Sequence, residues 1–185
     1  MARLASINDP VYAALPAVIE RGMALLPHAP QDGAELGDVL PVRRGRADLL
    51  TDPTVPIGRM FVEDGSVHVQ IFVDQAPRFF ARVQPVGATR GESWRLARIT
   101  ESAIAAEIEA GIELVQNDPA TEDEVLTLLE VPAYYFVGLL LSGRTGDRIL
   151  PVDLPDELGL DRSAIYDLEE LRERLRSSTI LGRRQ

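Results

Sequence analysis

The sequence predicts an α+β protein with a mainly antiparallel sheet, in which a four-strand meander and about three further strands are flanked by N-terminal, central and C-terminal helices. Apolar and polar residues alternate over residues 60–99, which is the period of a strand with one face in the core. Apolar residues recur at helical spacing over residues 11–25, 104–115 and 168–175. Parallel strands would be continuous apolar runs, and only residues 125–141 have that character.

The N-terminal helix has two predicted starts. Asp9-Pro10 combines a capping residue with proline at the first helical position, which favours a start there. That helix would be kinked by a second proline, so the alternative start is Leu15-Pro16. Residues 28–57 are rich in proline, glycine and aspartate and are predicted to be irregular, apart from a short strand at 39–42.

Residues 60–73 are predicted to form a hairpin that turns at Asp64-Gly65. Asp-Gly between alternating segments is typical of a two-residue type I′ turn, which fixes the register of the strands on either side. The side chains that this register places on the core side are Met60, Val62, Val67, Val69, Ile71 and Val73.

The next alternating run, residues 79–86, continues both sides of this ribbon if it pairs antiparallel with residues 66–73. Phe79, Ala81 and Val83 then join the core side. A fourth strand at 94–99 turns Trp94 and Leu96 toward the core and Arg95 away from it. The opposite side, called the mixed sheet face below, carries Phe61, His68, Gln70, Phe72, Phe80, Arg82 and Gln84.

The mixed sheet face is the candidate binding surface. Three benzyl rings beside an imidazole, two amides and a guanidinium are too apolar for a freely solvated surface. Three alternatives follow: a helix of the same chain covers the rings and leaves the polar groups at the rim, a partner or second copy covers them, or the face lines a small-molecule pocket. For catalysis His68 would need a carboxylate partner, and Glu63 and Asp74 are the nearest in sequence.

The second half of the chain predicts one more helix, three strands and a last helix. Thr100 is the expected N-cap of a helix that ends near Gln116. Strands are predicted at 125–131, 134–141 and 148–152, and Asp167 with Glu170 forms the capping box of the C-terminal helix. We expect residues 1–177 to form a single domain and residues 178–185 a flexible tail.

The residue types that the chain lacks exclude several chemistries. All nineteen positive side chains are arginine, so there is no lysine for a Schiff base or a phosphate-binding loop. There is no cysteine, and two histidines cannot form a three-histidine zinc site. We therefore expect no cofactor, no metal and no catalytic residue. Glu109 and Glu113 lie one helical turn apart but are expected to be a solvated acidic face.

Charge and hydropathy limit the partners and the location. A net charge of −10 disfavours nucleic acids and anionic membranes as partners. Arginines nevertheless cluster between Arg78 and Arg98, beside an acidic helix, which indicates either charge complementarity within the chain or two halves of a self-associating surface. Residues 125–141 are too short and too polar to span a membrane, and residues 1–6 lack the apolar core of a secretion signal. A cytoplasmic protein is expected.

These observations favour a non-catalytic protein-interaction module, adaptor or chaperone-like, that binds a protein partner or forms a homodimer. The element order and the acidity resemble those of small acidic secretion chaperones, whose homodimers bind a client, although no diagnostic motif accompanies the resemblance. The alternative is a small-molecule-binding protein or small enzyme with a pocket of histidine, arginine and carboxylate on the sheet.

Overall fold

A computed structural model describes residues 2–27, 33–50, 52–87, 93–144 and 146–178. Its helices are α1 (Leu15–Met23), α2 (Ala47–Leu50), α3 (Ile104–Asn117) and α4 (Leu168–Ser177). Its strands are β1 (Ala34–Gly45), β2 (Phe61–Val73), β3 (Ala76–Pro85), β4 (Trp94–Glu101), β5 (Val125–Val131), β6 (Phe136–Gly143), β7 (Gly146–Asp153) and β8 (Tyr166–Asp167).

These strands form one sheet in the order β4-β3-β2-β1-β5-β6-β7-β8. The strands β2, β3 and β4 pair antiparallel, as do β5, β6, β7 and β8, whereas β1 runs parallel to β5. The predicted α+β class with a mainly antiparallel sheet is therefore confirmed. Among the helices of the described ranges, none is long and apolar enough to cross a bilayer.

The finer predictions for the first sixty residues hold only in part. The helix begins at Leu15, the second of the two predicted starts, and a separate 3₁₀ turn covers Pro10–Tyr12. The short strand predicted at 39–42 is the centre of the twelve-residue β1. The sequence predicts too short a strand here because β1 contains glycine and proline, and both residues are unfavourable inside a strand.

The described residues group into two compact units, which we treat separately. Unit I comprises Leu4–Pro41 and Asp64–Glu109, and unit II comprises Met1–Arg3, Val42–Glu63 and Ala110–Gln185. The tail predicted for residues 178–185 lies outside the described residues from residue 179 onward.

The predicted hairpin at Asp64-Gly65 is wrong, because β2 continues through this dipeptide. A type I′ turn needs positive φ at both central residues. Gly65 has φ 75°, but Asp64 is absent from the residues with positive φ, so the chain does not reverse there. It reverses at Asp74-Gln75, where φ is 53° and 62°. The four-strand meander is consequently a three-strand one, with β1 as the next strand in the sheet.

The core of unit I confirms the predicted inward side of β2 and β3. Val69 and Ile71 are fully buried, whereas Val62 is 46% exposed and does not share their side. The buried members of this core are Leu15, Val18, Ile19, Met23, Val39, Val67, Val69, Ile71, Val73, Phe79, Ala81, Val83 and Trp94. The helix α1 thus covers the aliphatic side of the meander.

Unit II follows the sequence prediction closely. The strand β5 has the predicted bounds, and β6 and β7 lie within three residues of theirs. Leu168, Leu171 and Leu175 of α4 are buried in one core with residues of β5, β6 and β7. Asp167 is the N-cap of α4, but its side chain makes no capping hydrogen bond. Because β6 pairs on both sides, with β5 and β7, it offers no free edge to a partner.

The positive φ angles of Gln75 and Gly65 predict the effect of one substitution at each position. Gln75→Gly should raise the free energy of unfolding by about 1 kcal/mol, because glycine adopts positive φ without the steric cost of a side chain. Gly65→Ala, at φ 75°, should lower it by about 1 kcal/mol. Urea unfolding of both variants measures this, and a destabilised Gln75→Gly protein would contradict the assigned turn.

Candidate functional site

The structure brings four residues of the mixed sheet face together on β2 and β3. In the β2–β3 register His68 lies opposite Arg82, and Gln70 lies opposite Phe80. Successive members of each strand are two residues apart, so all four side chains lie on the side away from α1. Gln84 extends the same side toward the end of β3 and is half-buried.

Phe61 does not join this group, whereas Phe72 lies on the same side of β2 as Gln70. Phe61 packs at the margin of the core of unit II, since without a turn at Asp64-Gly65 it does not fold back toward His68. Phe72 is half-buried and packs over Gly37 of β1, where a Cβ atom would lie 2.6 Å from the Phe72 ring. The assignment of Phe61 to the mixed sheet face depended on the wrong hairpin.

The four assembled side chains are almost fully buried. His68 and Gln70 are each 2% exposed, Arg82 is 4% exposed and Phe80 is 7% exposed. Gln70 Nε2 donates a hydrogen bond of 3.0 Å to the carbonyl oxygen of Ala105, in the first turn of α3. A helix of the same chain therefore lies against this face. The polar side chains His68, Gln70 and Arg82 are buried and do not form the exposed rim that the first alternative had predicted.

His68 is a neutral imidazole in an apolar setting. Its ring stacks on Phe80, with centroids 4.8 Å apart and planes 20° apart. Its Nε2 is buried and has no hydrogen-bond partner among the residues that the structure describes. Burial first, and then the charges of Arg82 and Arg98, lower the pKa of His68 to about 3.

Neither carboxylate that the sequence offered to His68 serves it in the structure. Glu63 lies in unit II, where its Oε1 accepts a hydrogen bond of 2.6 Å from Arg43 Nε. Asp74 is exposed and occupies the β2–β3 turn. An imidazole with a pKa near 3 is uncharged at neutral pH and is a weak general base. Neither Glu63 nor Asp74 therefore forms an acid–base pair with the imidazole of His68.

Positive charges face each other across β3 and β4. Arg82 lies directly opposite Arg98, an arrangement of like charges that destabilises a strand pair by itself. Arg82 Nη1 donates a hydrogen bond of 3.2 Å to Ser66 Oγ, and the Arg98 guanidinium lies 5.1 Å above the centroid of Phe80. Both guanidiniums add to the effect of burial in lowering the pKa of His68.

The outer part of this side is an exposed basic surface on the edge strand β4. Arg95 and Arg98 are exposed, and Arg95 Nη2 donates a hydrogen bond of 3.0 Å to Gln84 Oε1. Within the described ranges neither arginine forms an ion pair, whereas Arg78 is 2.8 Å from Glu101. We call Gln84, Arg95, Arg98 and Thr100 the arginine surface.

A β-bulge places Arg98 on this surface. Arg82 pairs with Arg98, but the next residue of β3, Val83, pairs with Leu96, so Ala97 is an extra residue. Simple alternation from Trp94 and Leu96 would have turned Arg98 toward the core. The arginine cluster is visible in the sequence, but the bulge that places Arg98 on this surface is not.

Comparison with known proteins assigns no family to the chain, because no family model, no curated protein and no solved structure matches it. Among the described residues no three histidines or carboxylates lie close enough together to hold a metal ion.

His68 predicts a specific pH dependence of stability. The unfolded imidazole titrates near 6.5 and the folded one near 3, so between these values the unfolded state binds the additional proton. The stability contributed by the neutral imidazole is present above pH 6.5 and is lost as the pH falls toward 3. Between pH 7 and pH 5 the loss is roughly 2 kcal/mol.

Urea unfolding at both pH values, for the wild type and His68→Phe, isolates this contribution. Phenylalanine keeps the stack on Phe80 and removes the titrating group, so the variant should lose roughly 2 kcal/mol less than the wild type. Equal losses in both proteins would mean that His68 is not buried as a neutral group.

Proposed function

We propose that the protein is a non-catalytic protein-interaction module, adaptor or chaperone-like, and that the arginine surface contacts a carboxylate-bearing protein partner. The observation that carries this proposal is the pair of exposed arginines, Arg95 and Arg98, on an edge strand beside a third arginine. In a chain of net charge −10, such a local excess of positive charge favours an acidic partner over a basic one.

The state of His68 supports a binding role over a catalytic one. A general base needs access to its substrate and a pKa near the working pH. His68 is 2% exposed and has a pKa near 3, so it meets neither condition. Its contribution in this proposal is to stack on Phe80, which in turn supports the Arg98 guanidinium from below.

A small-molecule site is the second candidate, and one observation favours it. The unpartnered Nε2 of His68 lies on the same side of the sheet as Arg82, and this combination could hold a small carboxylate. Both side chains are almost fully buried, so the ligand would have to displace the cover provided by α3. Acetate, citrate and phosphate should then raise the melting temperature in a saturable way that His68→Phe abolishes.

Homodimer formation and a cytoplasmic location remain further proposals. Because Phe80 and His68 are buried, a dimer contact would have to be formed by other, exposed residues. Light scattering of the purified protein measures the mass directly. A monomer at all concentrations would remove self-association from the proposal without affecting a contact to a different protein.

Charge reversal on the arginine surface tests the interaction. In native lysate, cross-linking with mass spectrometry should recover partner peptides linked near β4 for the wild type, and Arg95→Glu with Arg98→Glu should reduce them by about tenfold. The matched control is Arg59→Glu with Arg176→Glu, which makes the same change in net charge at two exposed arginines of unit II.

Two results would contradict the proposed contact. One is a wild type without cross-linked partners, and the other is an equal loss in the control variant, which would indicate a general charge effect. Far-ultraviolet circular dichroism of both variants checks that the fold is retained.

A further inference from the structure

We propose that the free edge of β4 accepts an extended acidic segment of a protein partner as an added strand, with partner carboxylates opposite Arg95 and Arg98. This inference rests on the proposed function and names the chemistry of the partner.

The strand β4 has a free backbone edge within the part of the chain that the structure describes. It pairs with β3 on one side and is the last strand of the sheet on the other. The backbone N–H and C=O groups on that outer side are the groups by which an extended peptide adds to a sheet. Edge strands of this kind bind peptides through main-chain hydrogen bonds, and side chains give the specificity.

One face of β4 is closed by α1. At Gly22 of α1 a Cβ atom would lie 2.1 Å from Leu96 Cδ2, so the helix backbone rests directly on the strand. Trp94 Nε1 also donates a hydrogen bond of 3.4 Å to the carbonyl oxygen of Val11. These contacts hold β4 in place, and they leave the opposite face, with the arginine surface, for the side chains of an added strand.

The arginine surface selects the charge of the added strand. Because of the bulge at Ala97, Arg95 and Arg98 share one face although they are three residues apart. Side chains of an added strand that lie opposite them come within reach of both guanidiniums, where carboxylates stabilise the pair and cations destabilise it.

The same charges disfavour a second copy of β4 as the occupant. Edge-to-edge pairing of two copies would place four exposed arginines on one side of the joint sheet, two from each chain. The bulge further interrupts the regular hydrogen bonding that such a pair needs. The occupant is therefore a different, acidic segment, and the discrimination comes from repulsion as well as attraction.

Synthetic peptides of the length of β4, eight residues, test this inference by fluorescence anisotropy with the full chain. A Thr-Glu alternating peptide should bind the wild type, and a Thr-Lys peptide should not. With Arg95→Glu and Arg98→Glu combined, the preference should reverse, with a change of about tenfold or more for each peptide. The Arg59→Glu, Arg176→Glu control should behave like the wild type.

Backbone participation is tested by N-methylation of alternate residues of the Thr-Glu peptide, which removes donors and keeps the charges. We expect about a tenfold weaker complex for the methylation frame that faces β4, together with amide shift changes in Ala97–Glu101 for the unmodified peptide. Equal binding of both methylation frames and the parent peptide, or no binding of the Thr-Glu peptide, would overturn strand addition.

These outcomes are separable from those of the proposed function. Partner cross-links that depend on Arg95 and Arg98, combined with a failed peptide experiment, would leave the interaction module standing and reject the added strand. If no partner cross-links depend on Arg95 and Arg98, the arginine surface itself is rejected as the contact surface.

Discussion

The antiparallel pairing of β2 with β3 determines which side chains share a surface throughout unit I. The reversal at Asp74-Gln75 sets the register, and every second residue of each strand then points to α1. The aliphatic members form the core on that side. The remaining members, His68 and Gln70 on β2 with Phe80 and Arg82 on β3, are brought together on the other side by the same register.

This register buries polar side chains, and only some of their polar atoms have hydrogen-bond partners among the described residues. Gln70 and Arg82 have hydrogen-bond partners in Ala105 and Ser66, whereas the Nε2 atom of His68 has none among the described residues. An unpaired buried nitrogen costs on the order of 1–3 kcal/mol. The imidazole stacks on the ring of Phe80, and the exposed guanidinium of Arg98 lies over that same ring.

Residue alternation was the reliable part of the sequence signal, and turn chemistry was the unreliable part. Val67, Val69 and Val73 of β2 and the leucines of α4 followed directly from the period and are buried as predicted, whereas Val62, which the wrong hairpin placed with them, is exposed. The turn was misplaced because Asp64-Gly65 is the more typical type I′ dipeptide, while Asp74-Gln75 contains no glycine. Only the pairing with β3 decides between them, and that pairing is not local in sequence.

The candidate site was predictable to the same extent. Four of the seven predicted residues are buried together on β2 and β3, and Phe72 and Gln84 lie half-buried on the same side, because two-residue alternation survives the error in the turn. Phe61 was misplaced since its position depended on that turn. Arg98 was not assigned to this side because a bulge at Ala97 interrupts the two-residue alternation of β4. The pattern of apolar residues in the sequence does not reveal this bulge.

Backbone nuclear Overhauser contacts in solution test the β2–β3 register most directly. The account predicts cross-strand contacts between Val69 and Ala81 and between Gln70 and Phe80, with the chain reversing at residues 74–75. Contacts between Val62 and Val67, as a hairpin at Asp64-Gly65 would give, would contradict the register, the shared face of His68 and Arg82, and the surface built on them.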